Sequence, residues 1–203
     1  MTNEKNIGLK SVLMKIRTYI DEGAEARKLL NADELYVIGE KLYGAIATGH
    51  KLVTFGNGGS AADAQHMAAE LSGRFMNERK SLPAIALTTN TSTLTAIGND
   101  YSYEEVFSRQ VQGLVQKGDF VVGISTSGNS KNVINGINEA RKLGAYTVAL
   151  TGRSGGKLIN IAEKTITVDS DKTPIIQEVH IAIIHTLCMI LDELLKLPRV
   201  LRT

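Results

Sequence analysis

The chain has no tryptophan, and its other aromatic residues are four phenylalanines and six tyrosines among 203 residues. So little aromatic surface argues against a stacking platform for single-stranded nucleic acid. The excess of basic over acidic residues gives a net charge of only +2, too small to argue for nucleic acid or an anionic membrane as a partner. A single cysteine, Cys188, excludes a disulfide within the chain and a cysteine-rich metal site. It lies in an apolar helical run, where core packing is its expected role. The opening residues, MTNEKN, lack the apolar stretch of a secretory signal, and no run is read as reaching the roughly twenty apolar residues of a membrane span. The expectation is a cytoplasmic protein with neither membrane nor nucleic acid among its partners.

What is present is enough chain for one well-filled core, with strands and helices in alternation. Two amphipathic helices come first. One runs from about Leu9 to Leu30 through Val12, Leu13, Ile16 and Ile20; the other covers Glu34–Thr48, with a cap offered by Asn31-Ala32-Asp33. Five short, β-branched runs follow: Lys51–Gly56, Pro83–Thr88, Asp119–Ser125, Ala145–Thr151 and Lys164–Val168. Such runs suit strands covered on both faces. Helical segments separate them at Ser60–Gly73, Thr91–Ile97, Glu104–Val115, Lys131–Leu143 and Gly155–Ile161. Right-handed crossovers then give a three-layer α/β/α sandwich around a five-stranded parallel sheet. A long apolar helix, Thr173–Leu195, closes the chain, with Thr173 and Pro174 in favourable cap and first-turn positions. The whole of 1–203 is read as one domain: a helical arm at 1–48, an α/β core at 49–196 and a basic tail at 197–203. The arm is expected to pack on a neighbouring subunit.

Two loops at strand ends draw attention. Asp119–Ser125 runs into Thr126-Ser127-Gly128-Asn129-Ser130, and a helix opens at Lys131. Ligands in open parallel sheets sit beyond the carboxyl ends of strands. A helix N-terminus there presents free N–H groups to an anion. Hydroxyls of Ser125, Thr126, Ser127 and Ser130 add donors, and no cation precedes Lys131, so a bound phosphate would be held mainly by neutral groups. The other loop, Gly56-Asn57-Gly58-Gly59-Ser60, follows the first strand, and its glycines allow close backbone approach to a ligand. Ser60 and Asp63 have the spacing of a capping box. The loop is neither a dinucleotide fingerprint nor a Walker motif, which needs Gly-Lys-Ser/Thr; the bland alternative is a plain strand–helix turn.

Chemistry could come from His66 and Glu70, four apart on one helical face and able to converge on a metal such as zinc or to move protons. A surface ion pair is the alternative. On the last helix, Gln177 and His185 are about 12 Å apart along the axis. They would share one metal only through strong convergence or from different chains. His180 diverges from His185 by about 140° around the helix, so the two should serve different sites. Thr88-Thr89-Asn90-Thr91 and Gly98-Asn99-Asp100 could face the cleft, and Arg74 and Arg109 are read as surface salt-bridge partners, with contact to substrate as the alternative.

Together FGNGGSAADAQHMAAELSGRF, LTAIGNDYSYEEVFSRQV, GISTSGNS, LTGRSGG and TPIIQEVHIAIIH resemble the phosphoheptose (sedoheptulose 7-phosphate) isomerases of the sugar isomerase (SIS) fold family, over about Lys51–Leu195. The resemblance implies a homotetramer with active sites between subunits. It implies interconversion of sedoheptulose 7-phosphate and D-glycero-D-manno-heptose 7-phosphate, a step towards heptoses of lipopolysaccharide core, capsule or other surface glycans. It also implies one zinc per subunit on His66, Glu70, Gln177 and His185, with substrate contacts at Asn57, Gly58, Gly59, Glu70, Asn99, Asp100, Ser125, Thr126, Ser127, Ser130 and Gln177. An aldose–ketose conversion moves a proton between C1 and C2, and Glu70 and His185 are the expected acid–base pair. The competing readings are a non-catalytic SIS module that senses a sugar phosphate or binds a replication-initiation partner, and an isomerase or ligand-binding protein for another sugar phosphate.

Overall fold

The computed structural model describes residues 2–197. Helices α1 (Thr2–Lys28) and α2 (Ala32–Ala47) precede β1 (Leu52–Gly56) and α3 (Gly59–Ser72). Then come β2 (Ala84–Ala86), α4 (Thr91–Asp100), α5 (Ser108–Leu114), β3 (Phe120–Ser125), α6 (Lys131–Lys142), β4 (Tyr146–Gly152), β5 (Lys164–Val168) and α7 (Thr173–Lys196). All strand pairs are parallel, in the order β2-β1-β3-β4-β5. The expected five-stranded α/β/α sandwich is therefore the fold.

Alternation along the central strands sorts their side chains into two cores. Leu52, Phe120, Val122, Ile124, Val148 and Leu150 face α2, α3 and α7. Val53, Phe55, Val121 and Ala149 face α5 and α6, where Phe55 stacks on Phe107 at 5.0 Å between centroids. Strands β1 and β3 are buried throughout, whereas edge strand β5 alternates, with Lys164 and Thr167 exposed. Coverage on both faces thus holds for the centre of the sheet and not for that edge.

Local sequence chemistry accounts for several boundaries and corrects others. Asn31 caps α2 as expected, its side chain accepting from Asp33 and Glu34 N–H. Asn90 caps α4 in the same way, so it is spent on the helix rather than on a cleft. The Ser60/Asp63 capping box does not form: Gly58, at φ 56°, caps α3 with no side-chain bond. On α7 the cap is Lys172, which makes Thr173 the first helical residue. The single helix expected over Glu104–Val115 divides into a 3-10 turn, Tyr103–Glu105, and α5; the one expected over Gly155–Ile161 is the 3-10 turn Gly156–Asn160. Arg74 does pair with a carboxylate, Glu78 at 3.7 Å, but Arg109 instead stacks over Tyr101, 4.3 Å from its centroid. The expected tail from 197 onwards falls almost wholly outside the described residues.

By length and composition α7 is apolar enough to cross a bilayer, against the expectation that no run would be. More than half of its most apolar window is buried inside the fold, against the sheet and α2 and α3. Cys188 lies in this core, where burial pushes its thiol up to about 12, as suits a packing role. By contrast α1 leaves Leu9, Val12, Leu13, Ile16 and Ile20 exposed, while Gly23 lets it approach Glu178 of α7 and Tyr19 donates a hydrogen bond to that carboxylate.

His180 is fully buried on α7, its Nε2 3.0 Å from the Thr151 carbonyl and its Nδ1 without a partner. Adding a proton would strand an N–H at Nδ1, and burial pushes the pKa down from 6.5 to about 4, the Thr151 bond opposing the fall. Between those values the unfolded chain binds the proton and the folded chain does not, so this contribution is lost as pH falls through the window. The stability advantage of wild type over His180→Gln, read by urea unfolding, should shrink by on the order of 3 kcal/mol from pH 6.5 to 4. A pH-independent difference would contradict a neutral buried His180.

Candidate active site

Strand order brings the two ligand loops together. Gly56 at the end of β1 is registered beside Ile124 of β3, and the strands diverge there into the glycine loop and the serine loop. Order 2-1-3-4-5 has its topological switch point between β1 and β3, the place where open α/β sheets bind ligands. A cavity of about 300 Å³ lies at this point, lined by Asn57, Gly58, Gly59, Ser60, Ile124, Ser125, Thr126, Ser130, Thr173 and Gln177. Among the described residues no charged side chain lines it. Lys131, the nearest cation in sequence, is turned away to Glu104 at 2.8 Å.

The serine loop is organised from within. Ser125 Oγ is 2.9 Å from Ser130 Oγ and 3.5 Å from Ser127 Oγ. Ser130 caps α6 without giving its side chain to the helix, so the hydroxyl stays on the cavity side with Ser125. Ser127 accepts from Asn129 N–H and is not part of the cavity lining. The loop leans on the segment after β4: Gly152 N–H donates to Thr126 O, Leu158 N–H to Gly128 O, and Lys157 N–H to Asn129 Oδ1. Gly128, at φ 64°, passes so close to Gly155 that a Cβ would lie 2.0 Å from its carbonyl oxygen. That contact needs glycine.

Asn57 is held by a reciprocal amide pair with Asn132, at 2.8 and 2.9 Å, and its oxygen also accepts from Tyr103 at 3.1 Å. One amide N–H of Asn57 remains for a ligand. Sequence reasoning missed Asn132 and Tyr103, which orient a loop residue from two other elements, and nothing in their local spacing signals it. Asn99 and Asp100 fall in the last turn of α4, are exposed and bond each other at 2.9 Å. Within the described chain they are not brought to the cavity.

A second cluster forms where α3 crosses α7. His66 Nε2 is 2.9 Å from Glu70 Oε1 and 3.1 Å from His185 Nε2. One ligand atom from each lies within 4.8 Å of the others, an arrangement able to hold a metal ion. Two ligands bound at about 2.0–2.1 Å in a tetrahedron are roughly 3.4 Å apart, so the spacing and the N,N,O donor set fit zinc. Phe75, from the segment after α3, stacks on the His185 ring at 5.7 Å. Asp63 lies one turn before His66 with Oδ2 buried and unpartnered; burial pushes its pKa up to about 6, the His66 charge opposing that rise. Gln177 lines the serine-loop cavity. Its amide lies over Gly59, where a Cβ would be 2.4 Å from Nε2. His180, bonded to Thr151, is far round the helix from the cluster, as the angular argument required.

A larger polar groove of about 700 Å³, lined by Glu105, Asn135, Arg141 and Glu163 among others, contains none of the expected site residues.

The family description "SIS domain" matches residues 18–152. A probable phosphoheptose isomerase of Thermoplasma acidophilum is 61% identical over 180 residues, 89% of this chain and 99% of that protein. The phosphoheptose isomerase of Aquifex aeolicus is 50% identical over 186 residues, 90% and 97% of the two chains. Among solved structures, phosphoheptose isomerase GmhA from Neisseria gonorrhoeae superposes with a TM-score of 0.82 at 43% identity, covering 91% of this chain and 98% of that one.

Gly59→Ala tests the role of the cavity. The residue is already helical, so alanine costs the backbone nothing, but the new Cβ must expel the Gln177 amide. The variant should keep its thermal stability and bind a sugar phosphate about tenfold more weakly, the loss of roughly one good hydrogen bond. Unchanged affinity by calorimetry would remove Gln177 from the ligand site.

Proposed function

The chain belongs to the SIS-domain family, among the phosphoheptose isomerases, and from that membership we propose how its site works. It is an aldose–ketose isomerase, and its substrate is sedoheptulose 7-phosphate, converted to D-glycero-D-manno-heptose 7-phosphate. The observation that carries the reading is the pairing of a cation-free hydroxyl cavity at the β1/β3 switch point with a His66/Glu70/His185 cluster on α3 and α7.

Each part has a separate task. Ser125, Thr126 and Ser130, with the N–H groups opening α6, hold the phosphate, the helix dipole favouring its charge, and Ser127 shapes the loop beside them. Asn57, Gly58, Gly59 and Gln177 contact the sugar end nearest the loop, and Asn99 and Asp100 join them on closure or from a neighbouring chain. Binding energy from the remote phosphate then positions C1 and C2. Glu70 removes the C1 proton, and His185 serves as the second acid–base group. His66, Glu70 and His185 would hold zinc, one ion per subunit, with Gln177 completing the set by rearrangement or across a subunit boundary. A zinc ion so placed supplies Lewis-acid polarisation of the C1 and C2 oxygens. Coordination would lower Glu70's basicity, a conflict resolved either by its release during turnover or by a chiefly structural ion.

The same reading makes 1–203 a single SIS domain and the assembly a homotetramer. The apolar row Leu9, Val12, Leu13, Ile16 and Ile20 on α1, unpaired within one chain, supports burial against another copy. The product would feed surface-glycan heptose synthesis in the cytoplasm.

Incubation with sedoheptulose 7-phosphate, with and without a chelator, tests the function through the aldose formed. The wild-type chain should form the aldose and lose most activity when chelated, and Glu70→Gln should lower turnover by about 10²–10⁴-fold or more. No aldose under either condition would contradict the assignment, and near-normal turnover by Glu70→Gln would take Glu70 out of proton transfer.

A further inference from the structure

The three residues of the cluster come from two helices, and their spacing is only as good as the crossing of α3 over α7. At this crossing lies a buried ion pair outside the cluster. Arg79 Nε is 2.8 Å from Asp192 Oδ1, with side chains 11% and 1% exposed. Arg79 does more than pair a charge. Its Nη1 donates to the Leu71 carbonyl at 2.9 Å, and its Nη2 donates to the Glu70 carbonyl at 2.7 Å. These are carbonyls in the last turn of α3, which the helix itself leaves without partners. Asp192, in turn, accepts from the N–H groups of Met76 and Asn77 at 3.2 and 3.1 Å. Burial pushes its carboxyl up, but the hydrogen bond and charge of Arg79, with the Asn77 and Met76 N–H groups, hold it below the ordinary value.

The consequence lies in what these contacts are attached to. Asp192 is seven residues after His185 on α7, two helical turns along nearly the same face. Arg79 therefore ties the backbone of Glu70 to the helix that carries His185. The segment gripped by Asp192 starts beside Phe75, whose ring stacks on His185. Helix α3, helix α7 and the ring behind His185 are all fixed by one guanidinium–carboxylate pair. We propose that Arg79 and Asp192 are positioning residues for the His66/Glu70/His185 cluster, holding the metal-binding and proton-moving groups in register without touching the substrate. This rests on the reading of that cluster as metal centre and acid–base pair.

A buried ion pair can often be replaced by apolar residues of similar volume with little loss of stability. That separates positioning from folding. In Arg79→Met/Asp192→Leu the pair is removed without stranding a charge, and Arg79→Lys keeps the charge while losing the forked reach to two carbonyls. The double variant should remain folded but melt below wild type, because the Glu70 carbonyl and the Met76 and Asn77 N–H groups lose these partners. It should bind zinc about 10–100-fold more weakly in competition with a chromophoric chelator, the usual effect of removing a group that orients metal ligands. Its kcat should fall at least tenfold while KM for the sugar phosphate stays within about twofold, because the serine loop is untouched. Arg79→Lys should fall in between on zinc affinity and kcat. A folded double variant with wild-type zinc affinity and kcat would overturn the proposal. Should wild type itself bind no zinc, the metal reading fails separately. The clamp is then decided by the imidazole NMR signals of His66 and His185 in the metal-free protein: displacement in the double variant supports it, and unmoved signals overturn it.

Discussion

The molecule depends on one pairing, the parallel registration of β1 with β3. Backbone hydrogen bonds set Gly56 beside Ile124, and from these neighbouring strand ends the chain leaves in two different loops. Crossovers from β1 to β2 and from β3 to β4 run to opposite sides, so a crevice opens between the glycine and serine loops. Slipping the register would also exchange the faces of Val53 and Phe55 with those of Leu52 and Thr54, and both cores would fail together. The binding crevice is thus maintained by the same energy that maintains the fold.

Around that crevice the chemistry is divided. The cavity offers hydroxyls, amides and helix N–H groups but no charge, which suits a phosphate whose task is to be held rather than transformed. The ionisable groups stand apart, on α3 and α7, where two helices drive His66 and His185 to within 3.1 Å. Two imidazole nitrogens and a carboxylate oxygen so close form a natural donor set for a metal. Gln177 sits between the two regions, over Gly59, on the helix that carries His185. A substrate held at both ends would bridge them.

Much of this was legible in the sequence, because it is local. The strands, the serine loop with its helix, the His66/Glu70 pair and the Asn31 cap all rest on spacing within a few residues. What was not legible depends on how distant elements cross. Gln177 lines the serine-loop cavity beside Gly59, eight residues of helix before His185, a placement set by how α7 packs on α3. Asn99 and Asp100 end α4, which runs one turn longer than expected, and are exposed and bonded to each other. Arg79, Asp192 and Phe75 carry no motif of their own, and their role exists only once α7 packs over the end of α3. Tyr103, from a 3-10 turn, and Asn132, from the start of α6, meet Asn57 beyond the ends of the central strands, a contact no periodicity encodes. The long apolar helix is the reverse case: its composition alone would suit a bilayer, and only its burial shows that it serves as a core.

The central claim is that one chain carries a phosphate handle at the β1/β3 switch point and a metal-assisted acid–base cluster beside it. A crystal structure of the zinc-loaded protein with sedoheptulose 7-phosphate, recorded at the zinc absorption edge, tests it most directly. The account predicts anomalous density bonded to His66, Glu70 and His185, the phosphate seated on Ser125, Thr126 and Ser130, and C1 and C2 of the sugar facing Glu70. Zinc bound away from that trio, or a phosphate seated elsewhere than the serine loop, would contradict it.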